Sequence, residues 1–235
     1  MRWGDLKDSS STSPIMLIMK VEIWSDIACP WCYVGKRRFE TALRQFEHAD
    51  DVEVVWRSFE LDPNAPRTHA ESQDELLAAK YGMSLERARE MNARMTSEAA
   101  KEGLDFHFER VKVGNTFDAH RLVHLAAASG KADAMKERLM RAYLTDGDAL
   151  GETETLRRLG ADVELDAVRV EEMLASNAYS ADVRSDEARA RAFGISGVPF
   201  FAINERYGVS GAQTPEVLLG AMRQAYEESA ATGAS

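Results

Sequence analysis

Two cysteines stand three apart in Cys29-Pro30-Trp31-Cys32, and the chain has no others. A bridge between them closes too small a loop to restrain the unfolded chain much, so the pair is not a structural staple. Two chemistries use such a pair. In thiol–disulfide exchange one thiolate attacks a substrate disulfide, and a neighbouring thiol then resolves the mixed disulfide. At a helix start the unpaired backbone N–H groups and the positive end of the helix dipole favour an anion, which predicts a first thiol with a pKa below the free value of about 8.5. Cys29 is then the nucleophile and Cys32, one turn further in and more enclosed, the resolver. Pro30 has no N–H to leave orphaned, and its fixed φ suits a first helical turn. The other chemistry is half of a zinc site, completed by His120 and His124, four apart on one helix face. Structural zinc ligands usually come from short local loops, so the setting of the cysteines favours redox.

That setting is a strand followed by a helix. Residues 20–26 alternate apolar and polar, with Val21 and Ile23 on one side. From residue 35 to 47 Phe39, Ala42, Leu43 and Phe46 recur at three and four, a helix face. Residues 52–61 form a second strand, apolar on both faces (Val52, Val54, Trp56; Val55, Phe59, Leu61), as a fully buried strand requires. Together these make a right-handed parallel βαβ unit. Asp62-Pro63-Asn64-Ala65-Pro66 breaks the pattern, and a long helical stretch follows. Ser72-Gln73-Asp74-Glu75 is a capping box for a helix to Tyr81 that Gly82 ends. Further helices are expected at 84–101, 116–129, 132–145, 152–159, 165–175 and 180–193. Residues 200–203 and 207–210 read as a hairpin around Asn204-Glu205-Arg206, and Pro215 opens a last helix to 228.

Composition limits the partners. Lys plus Arg total 29 against 39 Asp plus Glu, for a net charge of −10. There is no basic block to neutralise phosphates, so nucleic acid is excluded as a partner. No apolar run reaches the roughly 18 residues needed to span a bilayer, and the Asp- and Ser-rich start lacks a cationic signal segment. A cytoplasmic protein with reduced thiols is expected.

Gly197-Val198-Pro199 directly precedes the strand at 200–203. A proline there either simply initiates the strand or takes the cis form, which only about 5–6% of X-Pro bonds adopt. In either case it removes a donor and leaves the Val198 backbone able to pair with an incoming chain by strand addition.

Four motifs in order resemble one family. Residues 24–35 (Trp24-Ser25-Asp26-Ile27-Ala28-Cys29-Pro30-Trp31-Cys32-Tyr33-Val34-Gly35), Gly114-Asn115-Thr116 with Ala119-His120-Arg121, Gly197-Val198-Pro199-Phe200-Phe201 and Ser210-Gly211-Ala212-Gln213 are similar to the FrnE-like branch of the DsbA family of thioredoxin-fold oxidoreductases. The resemblance implies an α/β, thioredoxin-like fold with a large all-helical insertion domain. Its expected divisions are a disordered leader at 1–18, a discontinuous thioredoxin-like domain at 19–62 and 178–229, the insertion at 63–177, and a disordered tail at 230–235. It further implies that Pro199 is a cis-proline facing the cysteines, and a protein-disulfide oxidoreductase or isomerase activity on protein or small thiols and disulfides. The chain departs from the periplasmic DsbA proteins in two ways. Trp31 stands where they carry a histidine between the cysteines and offers neither charge nor acceptor, and no export signal is visible. The superfamily also holds kappa-class glutathione transferases and 2-hydroxychromene-2-carboxylate isomerases, in which a serine usually replaces the first cysteine. No tightly bound cofactor or metal is expected. Glutathione as co-substrate would pair with Val198 and reach toward Gln213.

Other residues carry two readings each. Asp26 either relays protons beside the thiols or caps the helix. His120 and Arg121 line a cleft between the domains, or His120 is a satisfied structural histidine. Met91, Met95, Met135 and Met140 form an adaptable groove or, by their helical spacing, core. Trp31 and Tyr33 are expected to form an apolar rim around the substrate sulfur, with Pro30, Trp31, Val198 and Pro199 contacting substrate.

Overall fold

The computed structural model describes residues 18–233. The leader expected at 1–18 thus lies, except for Ile18, outside the described residues. Four strands, β1 (Met19–Ser25), β2 (Val52–Ser58), β3 (Phe200–Ile203) and β4 (Tyr207–Ser210), form a sheet of order β2-β1-β3-β4. β1 and β2 are parallel, whereas β1–β3 and β3–β4 are antiparallel, with Ile23 opposite both Trp56 and Phe201.

β1 is buried on both faces, not on the single face its alternation suggested. Val21 and Ile23 meet α1 (Pro30–Arg44) and α9 (Pro215–Gly233) in the main core, which includes Phe39, Phe201, Leu218 and Met222. Trp24 lies on the other face with Ala190, Ile195 and Ala202, and its indole N–H donates to Asp186 O at 2.9 Å on α8 (Ser180–Ala192). Glu22 shares that face and is held by Arg57 (2.8 Å) and Arg189 (2.9 Å). A charged residue tolerates such a place only when paired, and this makes the strand look amphipathic in sequence.

β2 differs from expectation in the opposite sense. It ends at Ser58, and Val52, Val54 and Val55 are only half-buried, because β2 is the edge of the sheet and not an interior strand. The final helix runs past the expected stop at 228 to Gly233, through the helix-favouring Ala230-Ala231 of the expected tail.

Between β2 and α8 come α2 (Gln73–Tyr81), α3 (Leu85–Lys101), α4 (Phe117–Ala127), α5 (Ala132–Arg141), α6 (Thr153–Asp162) and α7 (Ala167–Leu174), the helical insertion. Their ends follow local chemistry. Ser72 and Glu75 form the capping box of α2, Gly82 ends it in the left-handed region (φ 61°), and Asp166 accepts from Val168 and Arg169 N–H to start α7. The proline-broken segment after β2 is pinned by Gly114-Asn115. Asn115 N–H donates to Pro66 O (2.9 Å) and His69 N–H to Val113 O (2.8 Å). A Cβ at Gly114 would stand 2.2 Å from Arg67 O, so only glycine admits this approach.

Candidate active site

Ser25 ends β1, and the turn Asp26-Ile27-Ala28 delivers Cys29 to the N-cap of α1, with Pro30 at the first helical position. Cys29 has extended dihedrals (φ −87°, ψ 113°), and Cys32 N–H donates to Cys29 O at 3.0 Å. No acidic side chain lies in the first turn of the helix, whose positive end favours an anion at this position. Both cysteines are free thiols.

The peptide bond before Pro199 is cis. Cys29 Sγ lies 3.8 Å from Val198 O, and Gly211 N–H donates to Pro199 O at 2.8 Å, tying the proline to the Ser210–Gln213 turn. Gly35 on α1 lets this loop come close, since a Cβ there would be 2.8 Å from Pro199 Cγ. Cys29 keeps 5% of its surface and Cys32 1%. Burial, and then the neighbouring Cys29, push the Cys32 thiol well above its usual range, so Cys32 holds its proton.

Asp26 is buried and accepts from Leu61 N–H (2.7 Å), Thr116 Oγ1 (3.0 Å) and Ala28 N–H (3.3 Å), with His120 Nε2 at 3.4 Å. The capping reading changes accordingly. Cys29 occupies the N-cap, and Asp26 folds the preceding turn by bonding two residues on. Burial pushes its carboxyl up, but the His120 and Leu61 hydrogen bonds and the nearby Lys136 charge outweigh this, so Asp26 is an anion throughout the neutral range. Burial pushes the His120 imidazole down to its neutral form.

Lys136, on α5, is the residue the sequence reading missed. It is 1% exposed, its Nζ donates to Ser25 O at 2.9 Å and lies 5.7 Å from the Trp56 ring centre, and no carboxylate among the described residues forms an ion pair with it. Burial pulls its pKa down to about 8, opposed by the negative charge available at Cys32, Asp26 and Cys29. A signal was present, because Lys136 falls on the apolar stripe of Ala132, Met135, Leu139 and Met140 on α5.

A cavity of about 860 Å³ opens beside Cys29. Its walls include Pro30, Trp31, Leu61, Leu76, Leu77, Met91, Met95, Phe108 and Tyr143. Trp31 is 45% exposed at its rim. Tyr33, expected beside it, turns away instead. Two residues along a helix from Trp31 it meets the core, stacks on Phe106 and donates to Glu137 at 2.5 Å. The methionines divide, Met91 and Met95 lining the cavity and Met135 and Met140 lying in the core.

Several candidates are not brought to the cavity. His120 is spent on Asp26, and Arg121 is buried on the backbone carbonyls of Met173, Ser176 and Ala178 at the end of α7. Gln213 is exposed, with its amide on Ser210 O (2.9 Å). His124 Nε2 contacts Asp186 Oδ2 (3.0 Å) and Ser58 Oγ (3.2 Å). Thus neither histidine reaches the cysteines, and no group of three metal-ligating residues occurs among the described residues. The Ser58–His124–Asp186 trio is also no relay, because both contacts fall on the same ring nitrogen.

A β2-β1-β3-β4 sheet with paired cysteines at the start of α1, facing a cis-proline, defines a thioredoxin-like fold. The chain belongs to the DSBA-like thioredoxin domain family, which it matches over residues 20–223. It is 47% identical to a probable DsbA oxidoreductase from Streptomyces coelicolor, with a TM-score of 0.86 over 89% of this chain and 91% of that one. The fold also matches a 2-hydroxychromene-2-carboxylate isomerase (16% identity, TM-score 0.66, covering 91% and 98%). A cytosolic disulfide reductase, DsbM from Pseudomonas aeruginosa, solved with glutathione, matches at 16% identity and a TM-score of 0.60, covering 88% and 95%. Among the described residues no helix is long and apolar enough to cross a membrane.

Proposed function

We propose that this chain is a cytoplasmic thiol–disulfide oxidoreductase of the FrnE-like branch, working through Cys29 and Cys32. One observation carries the reading. Cys29 sits at the N-cap of a helix whose first turn has no acidic side chain, beside Val198 O and cis-Pro199, and lines a cavity, while Cys32 is enclosed behind it. Cys29 as thiolate attacks one sulfur of the substrate disulfide, forms a mixed disulfide and expels the other sulfur as a thiolate that takes a proton from water. Cys32 then loses its proton and attacks Cys29 Sγ, closing the Cys29–Cys32 disulfide and releasing the second thiol. The buried ammonium of Lys136 compensates negative charge on the sulfur pair, and its lowered pKa suits it to take up the Cys32 proton when it is in its amine form. Val198 and Pro199 orient the substrate backbone, with Pro30 and Trp31 against its side chain. Substrates are protein thiols and disulfides or small thiols. Glutathione serves as co-substrate, a role supported by the likeness to the disulfide reductase solved with it.

The apolar cavity favours a second reading, a glutathione-dependent isomerase or transferase acting on an aromatic small molecule. Reduction of insulin by dithiothreitol tests the first reading, with Cys29→Ser and Cys32→Ser each expected to abolish the catalysed rate. An unchanged rate in Cys29→Ser overturns it. Saturable glutathione binding and turnover that survive Cys32→Ser would replace it with the second.

A further inference from the structure

Cys29 keeps only 5% of its surface, yet it lines a cavity of about 860 Å³, within the range of small-molecule pockets. A compact protein presents its disulfides on a broad surface, which does not fit into such a space. α2 makes one wall and has no buried residue, so Leu76 and Leu77 are turned half-covered toward the cavity rather than used in the core. Met91 and Met95 of α3 and Phe108 continue that apolar wall.

The charges on the lining are uneven. Asp26 is buried with its carboxylate engaged by Leu61 N–H and Thr116 Oγ1 and with the Lys136 charge nearby, Glu98 is paired with Lys101, and Asp62 sits at an exposed turn accepting from Asn64 N–H. His69 lies against Glu71. Lys80 and Arg94 also line the cavity, and neither forms an ion pair among the described residues. In a chain of net charge −10, two cations without counter-ions beside apolar walls are a place for an anion carried on an apolar body.

We propose that the cavity selects a low-molecular-weight disulfide with an apolar, aromatic-sized body and a carboxylate, in preference to a protein disulfide. The inference rests on the exchange chemistry above and adds its substrate class. The apolar body lies against Leu76, Leu77, Met91 and Met95, the carboxylate faces Lys80 and Arg94, and one sulfur reaches Cys29. Electrons balance as in the exchange already written. The two thiols of the chain become one disulfide, the substrate leaves as two thiols, and a dithiol reductant restores the enzyme.

Pre-reduced protein is mixed in stopped flow with each of four disulfides, and each rate is divided by that of a simple model thiol. The probes are 5,5′-dithiobis(2-nitrobenzoate), neutral 2,2′-dithiodipyridine, glutathione disulfide and insulin. The nitrobenzoate disulfide is expected to lead. In Lys80→Ala/Arg94→Ala the nitrobenzoate-to-dithiodipyridine ratio should fall about tenfold at low salt, the effect of removing two partly exposed charges. A second measurement needs no chemistry. 5-Methylthio-2-nitrobenzoate, which cannot exchange, should bind saturably by calorimetry and about tenfold more weakly to the double variant. An unchanged ratio together with absent binding overturns the inference, as does insulin or glutathione disulfide leading the series. Thioether binding without any exchange would instead overturn the exchange reading and leave the ligand class standing.

Discussion

Replacing Lys136 with methionine separates stability from reactivity. The side chain is fully enclosed and its pKa falls from the ordinary 10.5 to about 8, so no solvent discount applies. At about 1.4 kcal/mol per unit, keeping the ammonium buried costs the fold about 3 kcal/mol. The sign follows from proton binding. Between pH 8 and 10.5 the unfolded chain binds more protons at this lysine than the native one, so wild-type stability rises across that window and the cost is fully present below it. Lys136→Met removes the cost but leaves Ser25 O without its donor, a loss of about 1–3 kcal/mol. At pH 7 the variant should therefore be as stable as wild type or up to about 2 kcal/mol more so, a rise in Tm of several degrees at most. The wild-type gain between pH 8 and 10.5 should be missing from the variant, so any advantage of the variant shrinks as the pH rises through that window. Reactivity should move the other way. Without a buried counter-charge near the thiol pair, alkylation by iodoacetamide at pH 7 should be slower than in wild type. A variant that melts many degrees lower while its alkylation profile against pH is unmoved would show Lys136 to be mere packing and refute the argument.

Two further substitutions probe the neighbourhood. Gly35→Ala drives a Cβ to 2.8 Å from Pro199 Cγ, a ring atom that cannot swing aside, and should cost about 1–3 kcal/mol and slow exchange by moving Val198 O from Cys29. A melting temperature and rate equal to wild type would show that the proline loop yields freely. Glu60 is enclosed by burial and set beside Glu187, which together push its carboxyl up to about 7 despite Arg184, and Oε1 has no hydrogen-bond partner among the described residues. The native form thus binds more protons than the unfolded one between pH 4.5 and 7, and stability falls across that window. Because Arg184 is half exposed, Glu60→Gln should gain only about 1 kcal/mol at pH 8 and nothing at pH 4.5, read from thermal melts at the two values.

What could be read in the sequence was local. The spacing of Cys29 and Cys32, the Ser72–Glu75 capping box, the stop at Gly82, and the hairpin at Asn204-Glu205-Arg206 all depend on residues within a turn or two, where propensity and periodicity decide the outcome. The family motifs added Pro199 as cis, which spacing alone left open. Sheet position was not legible in the same way. β2 is as apolar as an interior strand yet lies at the edge, and β1 hides Glu22 on a buried face because Arg57 and Arg189 arrive from elsewhere to pair with it.

The same division holds at the site. The sequence by itself determined the candidate cysteine pair, the strand and helix that present it, and the order of elements around it, since each follows from contacts between near neighbours along the chain. Tertiary structure alone decided that Lys136 is buried on Ser25 O within the electrostatic reach of the cysteines, that Tyr33 turns to Glu137 while Trp31 stays at the rim, and that Leu76, Leu77, Lys80 and Arg94 wall the space before Cys29. These facts depend on which distant segments share a volume, and so on the packing of the helical insertion against the sheet, which no single stretch of residues encodes.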